Sequence, residues 1–203
     1  MITGKNEHVY INIQMNIEIE EKPITGLAEY GKIPIRFEVK SVYEVRGNDP
    51  ASAKLIEKTI PNPWIKDYDA IKGEEPIRWA ERWDISKWGM LIAHMDGRWI
   101  GGCVLAYNTD GVHKLEGRND ITVLWDLRVH PEFRRKGIGT RLFASAVQWA
   151  KYRKCIELKI ETQNINVHAC KFYKKQGCRV DKINRFAYKE FPDEIELIWS
   201  VKL

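Results

Sequence analysis

Metal and disulfide chemistry have little to work with in this chain. Its four cysteines, Cys103, Cys155, Cys170 and Cys178, lie far apart with no Cys-x-x-Cys pair. That spacing signals neither a zinc site nor a thioredoxin-like redox pair, and reduced, buried thiols are the reading it favours. No run approaches the roughly 18 apolar residues of a membrane-spanning helix. The opening residues Met1 to Tyr10 carry Lys5, Glu7 and His8 where a secretory signal needs an apolar stretch. A cytoplasmic protein with no membrane partner is therefore expected. Internal repeats, low-complexity tracts and an interdomain linker are also missing. None of the five histidines stands in a recognisable catalytic triad context.

What is present suits a globular fold: 203 residues, 44% hydrophobic and 30% charged, fit one compact domain. The net charge of +5 is modest, but the basic residues crowd Arg128 to Lys175, a segment suited to phosphate groups. Nucleic acid is not the expected partner, because no helix-turn-helix or aromatic stacking motif accompanies the charge.

Hydrophobic periodicity sets the order of elements. Strict alternation predicts strands over Val9–Glu20 and Ile35–Val45, with a loop over Pro23–Pro34. Asp49 followed by Pro50 predicts a helix over Ala51–Thr59, and a second short helix is expected over Glu74–Trp83. Gly89 to Asn108 reads as a hairpin folded at Asp96-Gly97. Ile121 to Val129 alternates as a strand; Ile138, Leu142, Phe143, Ala146, Trp149 and Ala150 form a helical stripe; and Ile156 to Glu161 is a strand expected to run parallel to the first. A helix over Val167–Gln176 and strands over Arg179–Tyr188 and Glu194–Val201 complete the pattern.

Between the Ile121–Val129 strand and the following helix lies Pro131-Glu-Phe-Arg134-Arg135-Lys136-Gly137-Ile138-Gly139-Thr140. A helix N-terminus presents unpaired N–H groups and the positive end of its dipole, and glycines let phosphate oxygens approach the backbone. The kinase-type P-loop and the dinucleotide fingerprint both fail here, the latter because Leu142 stands where a third glycine is needed. The stretch Leu127 to Phe143 instead resembles the Arg-x-x-Gly-x-Gly signature of the GNAT superfamily of N-acetyltransferases. A second element, Asn166 to Gly177 with Ala169 and Tyr173, resembles that family's Asn-x-x-Ala-x-x-x-Tyr-x-x-x-Gly motif. Where family members usually carry Phe after the last glycine, this chain has Cys178.

The resemblance implies a GNAT fold of the α/β (α+β) class. About seven strands would form a mixed central sheet with about four helices, its parallel pair splayed at an acetyl-CoA cleft. It also implies acceptor-side elements over 1–88, a cofactor-binding core over 89–178 and closing strands over 179–203. By the same resemblance Arg134, Arg135, Lys136, Gly137, Ile138, Gly139 and Thr140 hold pyrophosphate. Leu127, Arg128 and Val129 offer backbone to the thioester arm, Asn166 contacts pantetheine, and Tyr173 protonates the leaving thiolate. As residues, Tyr173 could equally pack in a core and Asn166 could equally cap a helix.

An alkylamine must lose a proton before it attacks a thioester, and Asp126 and Glu161, on the two strands flanking the cleft, are the candidate bases; each could instead anchor substrate or be an ordinary strand acid. Around this core, Glu161 to Cys170, Asn184 to Tyr188 and Pro63 to Asp69 are similar to streptothricin acetyltransferases. That narrower likeness casts Asp67, Tyr68 and Asp69 as contacts for a cationic small-molecule amine. Protein lysine or N-terminal acetylation and a non-catalytic acyl-CoA-binding module are the alternatives. Trp64, Trp79, Trp83 and Trp88 suit an aromatic-walled pocket, core packing or a homodimer contact alike.

Overall fold

The computed structural model describes residues 16–203. The expected Val9–Glu20 strand lies outside them up to residue 15; its described end joins the strand Glu18–Lys22 (β1). Next come a helical turn Leu27–Tyr30 (α1), strands Phe37–Arg46 (β2) and Lys54–Lys66 (β3), and a second turn Trp79–Arg82 (α2). The hairpin Gly89–Met95 (β4) and Arg98–Tyr107 (β5) leads to Ile121–Val129 (β6), the helix Ile138–Tyr152 (α3) and Glu157–Gln163 (β7). Helix Val167–Lys175 (α4) and strands Arg179–Asn184 (β8) and Glu196–Lys202 (β9) close the described chain.

Seven strands form one mixed sheet in the order β1-β4-β5-β6-β7-β9-β8, with β6 and β7 as its parallel pair; β2 and β3 form a separate ribbon. The β4–β5 turn is built as expected, with Asp96 at φ 51° and Gly97 at φ 78°, the positive angles a tight hairpin needs. Alternation along these strands sorts residues between two cores. Leu91, Ala93, Cys103 and Leu105 face the side covered by α3, while Met90, Ile92, Val104 and Ala106 pack with Leu27, Tyr30, Trp79 and Trp88.

Three expectations are corrected. No helix forms over Ala51–Thr59, which lies mostly in β3. Asp49 does accept hydrogen bonds, from the Ala51 N–H at 3.2 Å and the Ser52 hydroxyl at 2.8 Å, but the chain uses them to turn the ribbon. The β-branched Ile56, Thr59 and Ile60 then favour extension. Pro61 and Pro63 are tolerated because, among the described residues, β3 pairs with β2 alone and lies at a ribbon edge. The Pro23–Pro34 loop contains α1, whose Tyr30 is fully buried. The strand begun at Arg179 stops at Asn184 rather than Tyr188, and the segment before Glu196 carries Tyr188, Phe191 and Glu194 as loop residues.

The ribbon is fastened to the C-terminal half. Tyr43 and Asn164 exchange bonds at 2.9 and 3.1 Å. Arg185 reaches the carbonyls of Val45 and Gly47, and the buried Lys66 pairs with Glu194 at 2.5 Å.

Helix α3 seats on the sheet through a close fit at Gly89. A Cβ built there would lie 2.3 Å from the Trp149 indole, which is itself fixed by a 2.8 Å bond to Glu21. Overpacking of this kind costs about 1–3 kcal/mol. Gly89→Ala is expected to lower the thermal midpoint by several degrees, measured by circular dichroism, while leaving the far-ultraviolet spectrum of the folded protein unchanged.

Candidate active site

The parallel ladder between β6 and β7 covers only Ile121–Leu124 against Glu157–Ile160. Past Leu124 the two strands part. On its other edge β6 remains paired with β5, but a bulge leaves Trp125 without a partner between Leu124 and Asp126. The splay opens into a cleft of about 1590 Å³ lined at one end by Gly137, Gly139 and Thr140, in the middle by Leu127, Asn166 and Tyr173, and at the other by Trp125, Glu161, Tyr188 and Glu196.

At the first end, Gly137 stands at the N-cap of α3 with φ 81°, and no side chain caps the helix. Its first main-chain bond runs from the Arg141 N–H to the Gly137 carbonyl at 3.1 Å, leaving the amides of the first turn for an anion. Arg135, at φ 65°, and Lys136 are exposed beside them. Arg134 is turned inward instead, bonding the carbonyls of Val129, Pro34 and Arg36 at 2.9, 3.3 and 3.0 Å, and burial pulls its pKa down. Residues Gln176 and Thr140 link α4 to the start of α3 at 3.5 Å.

In the middle, Asn166 caps α4 by accepting from the Ala169 N–H at 3.1 Å. Tyr173 is 6% exposed and packs on Phe172 and Phe143 with ring centroids 5.1 and 6.0 Å away. Its hydroxyl has no hydrogen-bond partner among the described residues, and the side chain forms part of the cleft wall. Burial raises its pKa well above that of a free phenol, so it stays protonated.

The opposite end is dense with charge. Arg128, 1% exposed at its side chain, grips Asp126 at 2.7 and 2.9 Å and Asp69 at 2.8 and 3.2 Å, and also bonds the Ile33 carbonyl. Burial alone would lower its pKa, but Asp126 beside it reverses the sign and keeps it protonated. Tyr30 donates to the other side of Asp126. Glu161 is bonded by Lys114, by the Tyr188 hydroxyl at 2.5 Å and by Gln163 at 3.1 Å. Burial would raise its pKa, but Lys114 overrides that and holds it below the ordinary value. Trp83 and Trp125 meet edge to face at 4.7 Å, with Trp79 and Trp88 packed behind them.

A model of the acetyltransferase (GNAT) family matches residues 56–178. The chain belongs to the GNAT acetyltransferase family. Streptothricin acetyltransferase A of Bacillus subtilis (strain 168) is 36% identical over 148 residues, 72% of this chain and 78% of that protein. A Bacillus anthracis str. Ames structure assigned as a streptothricin acetyltransferase, solved in complex with acetyl coenzyme A, superposes with a TM-score of 0.72 at 26% identity, covering 92% of this chain and 99% of that one. Nourseothricin acetyltransferase shares the fold, with a TM-score of 0.70 at 20% identity over 92% of this chain and 98% of that one.

Within this GNAT frame, the two motifs read from sequence meet as neighbours, the α3 N-terminus beside Tyr173 and Asn166 across one cleft. Some expected residues have other partners. The Arg128 guanidinium turns to Asp126 and Asp69, and the Val129 carbonyl is held by Arg134. Asp67 accepts from the Asp69 N–H at 3.2 Å and so shapes its own turn, while Tyr68 and Asp69 line the cleft. Lys114, Tyr188 and Glu196 were not expected. Alternation in the last strand does place Glu196 on the polar face, and Tyr188 ends the Asn184–Tyr188 phrase noted above, but nothing local signals Lys114.

Removing Arg128 would strand two carboxylates, Asp126 with its side chain 7% exposed and Asp69 with its side chain 21% exposed. Arg128→Met is expected to destabilise the fold by about 3–5 kcal/mol, read as a lower urea midpoint with an unchanged slope.

Proposed function

We propose that this enzyme transfers the acetyl group of acetyl-CoA to a primary amine of a small molecule, with a polycationic antibiotic of the streptothricin type as acceptor. The observation that carries the reading is the open seam between β6 and β7, with an uncapped helix N-terminus at one end and aromatic and carboxylate groups at the other. Acetyl-CoA brings an activated acyl group with a tolerable thiolate leaving group, since thiols ionise near pKa 8.5. A B. anthracis relative solved with that molecule supports the same assignment.

The chain's own residues then divide the work. First-turn amides at Ile138, Gly139 and Thr140 hold the pyrophosphate, with Arg135 and Lys136 adding charge. Leu127 on β6 and Asn166 at the start of α4 position the pantetheine arm. Tyr173 donates its phenolic proton to the departing sulfur, a role suited to a buried hydroxyl that remains protonated at neutral pH. At the opposite end Glu161 and the Trp83–Trp125 wall favour a cation with apolar surface. The similarity to streptothricin acetyltransferase A supports the choice of guest.

Thiol release from acetyl-CoA on adding streptothricin is the direct test, run beside aminoglycosides, polyamines, amino acids and lysine peptides; no release with streptothricin removes it as the acceptor. Tyr173→Phe is expected to lower kcat about 100-fold with little change in acetyl-CoA affinity. Gly137→Glu, which combines a strained backbone angle with like charge at the phosphate site, is expected to abolish the calorimetric binding signal for acetyl-CoA.

A further inference from the structure

Two acids once plausible as proton acceptors are already committed. Asp126 takes hydrogen bonds from Arg128 on both oxygens and from Tyr30 on one, and its side chain is 7% exposed. Glu161 has Lys114 on one oxygen and Tyr188 and Gln163 on the other. A third carboxyl, Glu196 on β9, stands beside them with freer valences. The β7–β9 register sets Glu196 opposite Gln163 and one diagonal from Glu161, which faces Ile198. Glu196 lines the same cleft as Glu161, and among the described residues its side chain accepts one hydrogen bond, a long one of 3.5 Å from the Asn184 amide. The location matters: Glu161 is the first residue of β7 beyond the last β6–β7 pair, so the two carboxyls sit where the strands part.

Resting on the amine-acetylation reading, we propose that Glu196 is the catalytic base that takes the proton from the acceptor ammonium, with Glu161 as its positioning partner. The groups facing Glu196 are Glu161 and Gln163 from β7, Asn184 from β8, Lys114 from the segment before β6, and Tyr188 from the loop before β9. Lys114 neutralises one carboxylate, so the group carries a single net negative charge when both carboxyls are ionised. Burial first, and then the Glu161 charge, raise the pKa of Glu196, which makes it a stronger base than a solvated glutamate. Glu196, as the carboxylate, accepts a proton from the ammonium, and the freed nitrogen lone pair attacks the thioester carbon. The C–N bond forms as the C–S bond breaks, the sulfur receives its proton from Tyr173, and the second nitrogen proton returns the phenolate to phenol. Glu196 finally releases its proton to water, leaving amide, free thiol and one proton.

The test is a pH profile of thiol release with streptothricin for the wild type, Glu196→Gln and Glu161→Gln, alongside an NMR titration of the glutamate carboxyl carbons in the free wild type. Glu196→Gln should lower kcat/KM about 100-fold at pH 7, with the deficit shrinking below about tenfold by pH 9.5 as the amine, of pKa near 10.4, deprotonates unaided. Its carboxyl should titrate above the usual value of about 4.3 in the wild type and fall toward it in Glu161→Gln. A deficit that stays constant with pH, or a Glu196 titration at the ordinary value, overturns the proposal. If wild type releases no thiol with streptothricin, the acceptor assignment fails, and the titration alone decides the carboxyl pair.

Discussion

A parallel ladder that ends after Leu124 and Ile160 leaves two strand edges without each other, and everything functional in this molecule is arranged around that gap. Backbone N–H and C=O groups at such an edge need partners, and a narrow cleft beside them is a natural place for a ligand with amide groups of its own. The gap persists because both strands are held from outside: β6 by its antiparallel pairing to β5, and β7 by β9. The bulge at Trp125 then turns the free half of β6 away from β7.

Arg128 extends that constraint outward. Its single guanidinium joins the bulged strand, through Asp126, to the Asp69 turn that follows the ribbon and to the Ile33 carbonyl after α1. Tyr68 crosses to the other lip by meeting Gln163 on β7. The turn after β3 thus touches both sides of the seam, and the ribbon becomes part of the cleft wall without joining the main sheet.

Local signals carried much of this. Asp96-Gly97, the α3 stripe, the glycine loop and the Asn166–Tyr173 spacing each depend on a few neighbouring residues, so each is visible in the sequence and recurs in the structure. The helix expected over Ala51–Thr59 failed for an instructive reason: an Asp-Pro pair supplies bonds to a turn as readily as to a helix, and only strand pairing with β2 decides between them. At the Glu161 end of the cleft legibility falls, because Lys114, Glu161, Tyr188 and Glu196 come from four separate segments and their meeting depends on the strand order β7-β9-β8. Charge alone is a poor guide too, since Arg128 and Arg134 belong to a basic stretch but spend their guanidinium groups on internal partners.

The packing of Trp79, Trp83, Trp88 and Trp125 has an optical corollary. Four indoles with several centroid separations between 4.7 and 6.4 Å are close enough for their excited states to mix. Three of them, Trp79, Trp83 and Trp125, line the cleft. The enzyme thus contains a built-in chromophore whose near-ultraviolet dichroism and emission would register any molecule that entered beside these rings, with no label attached.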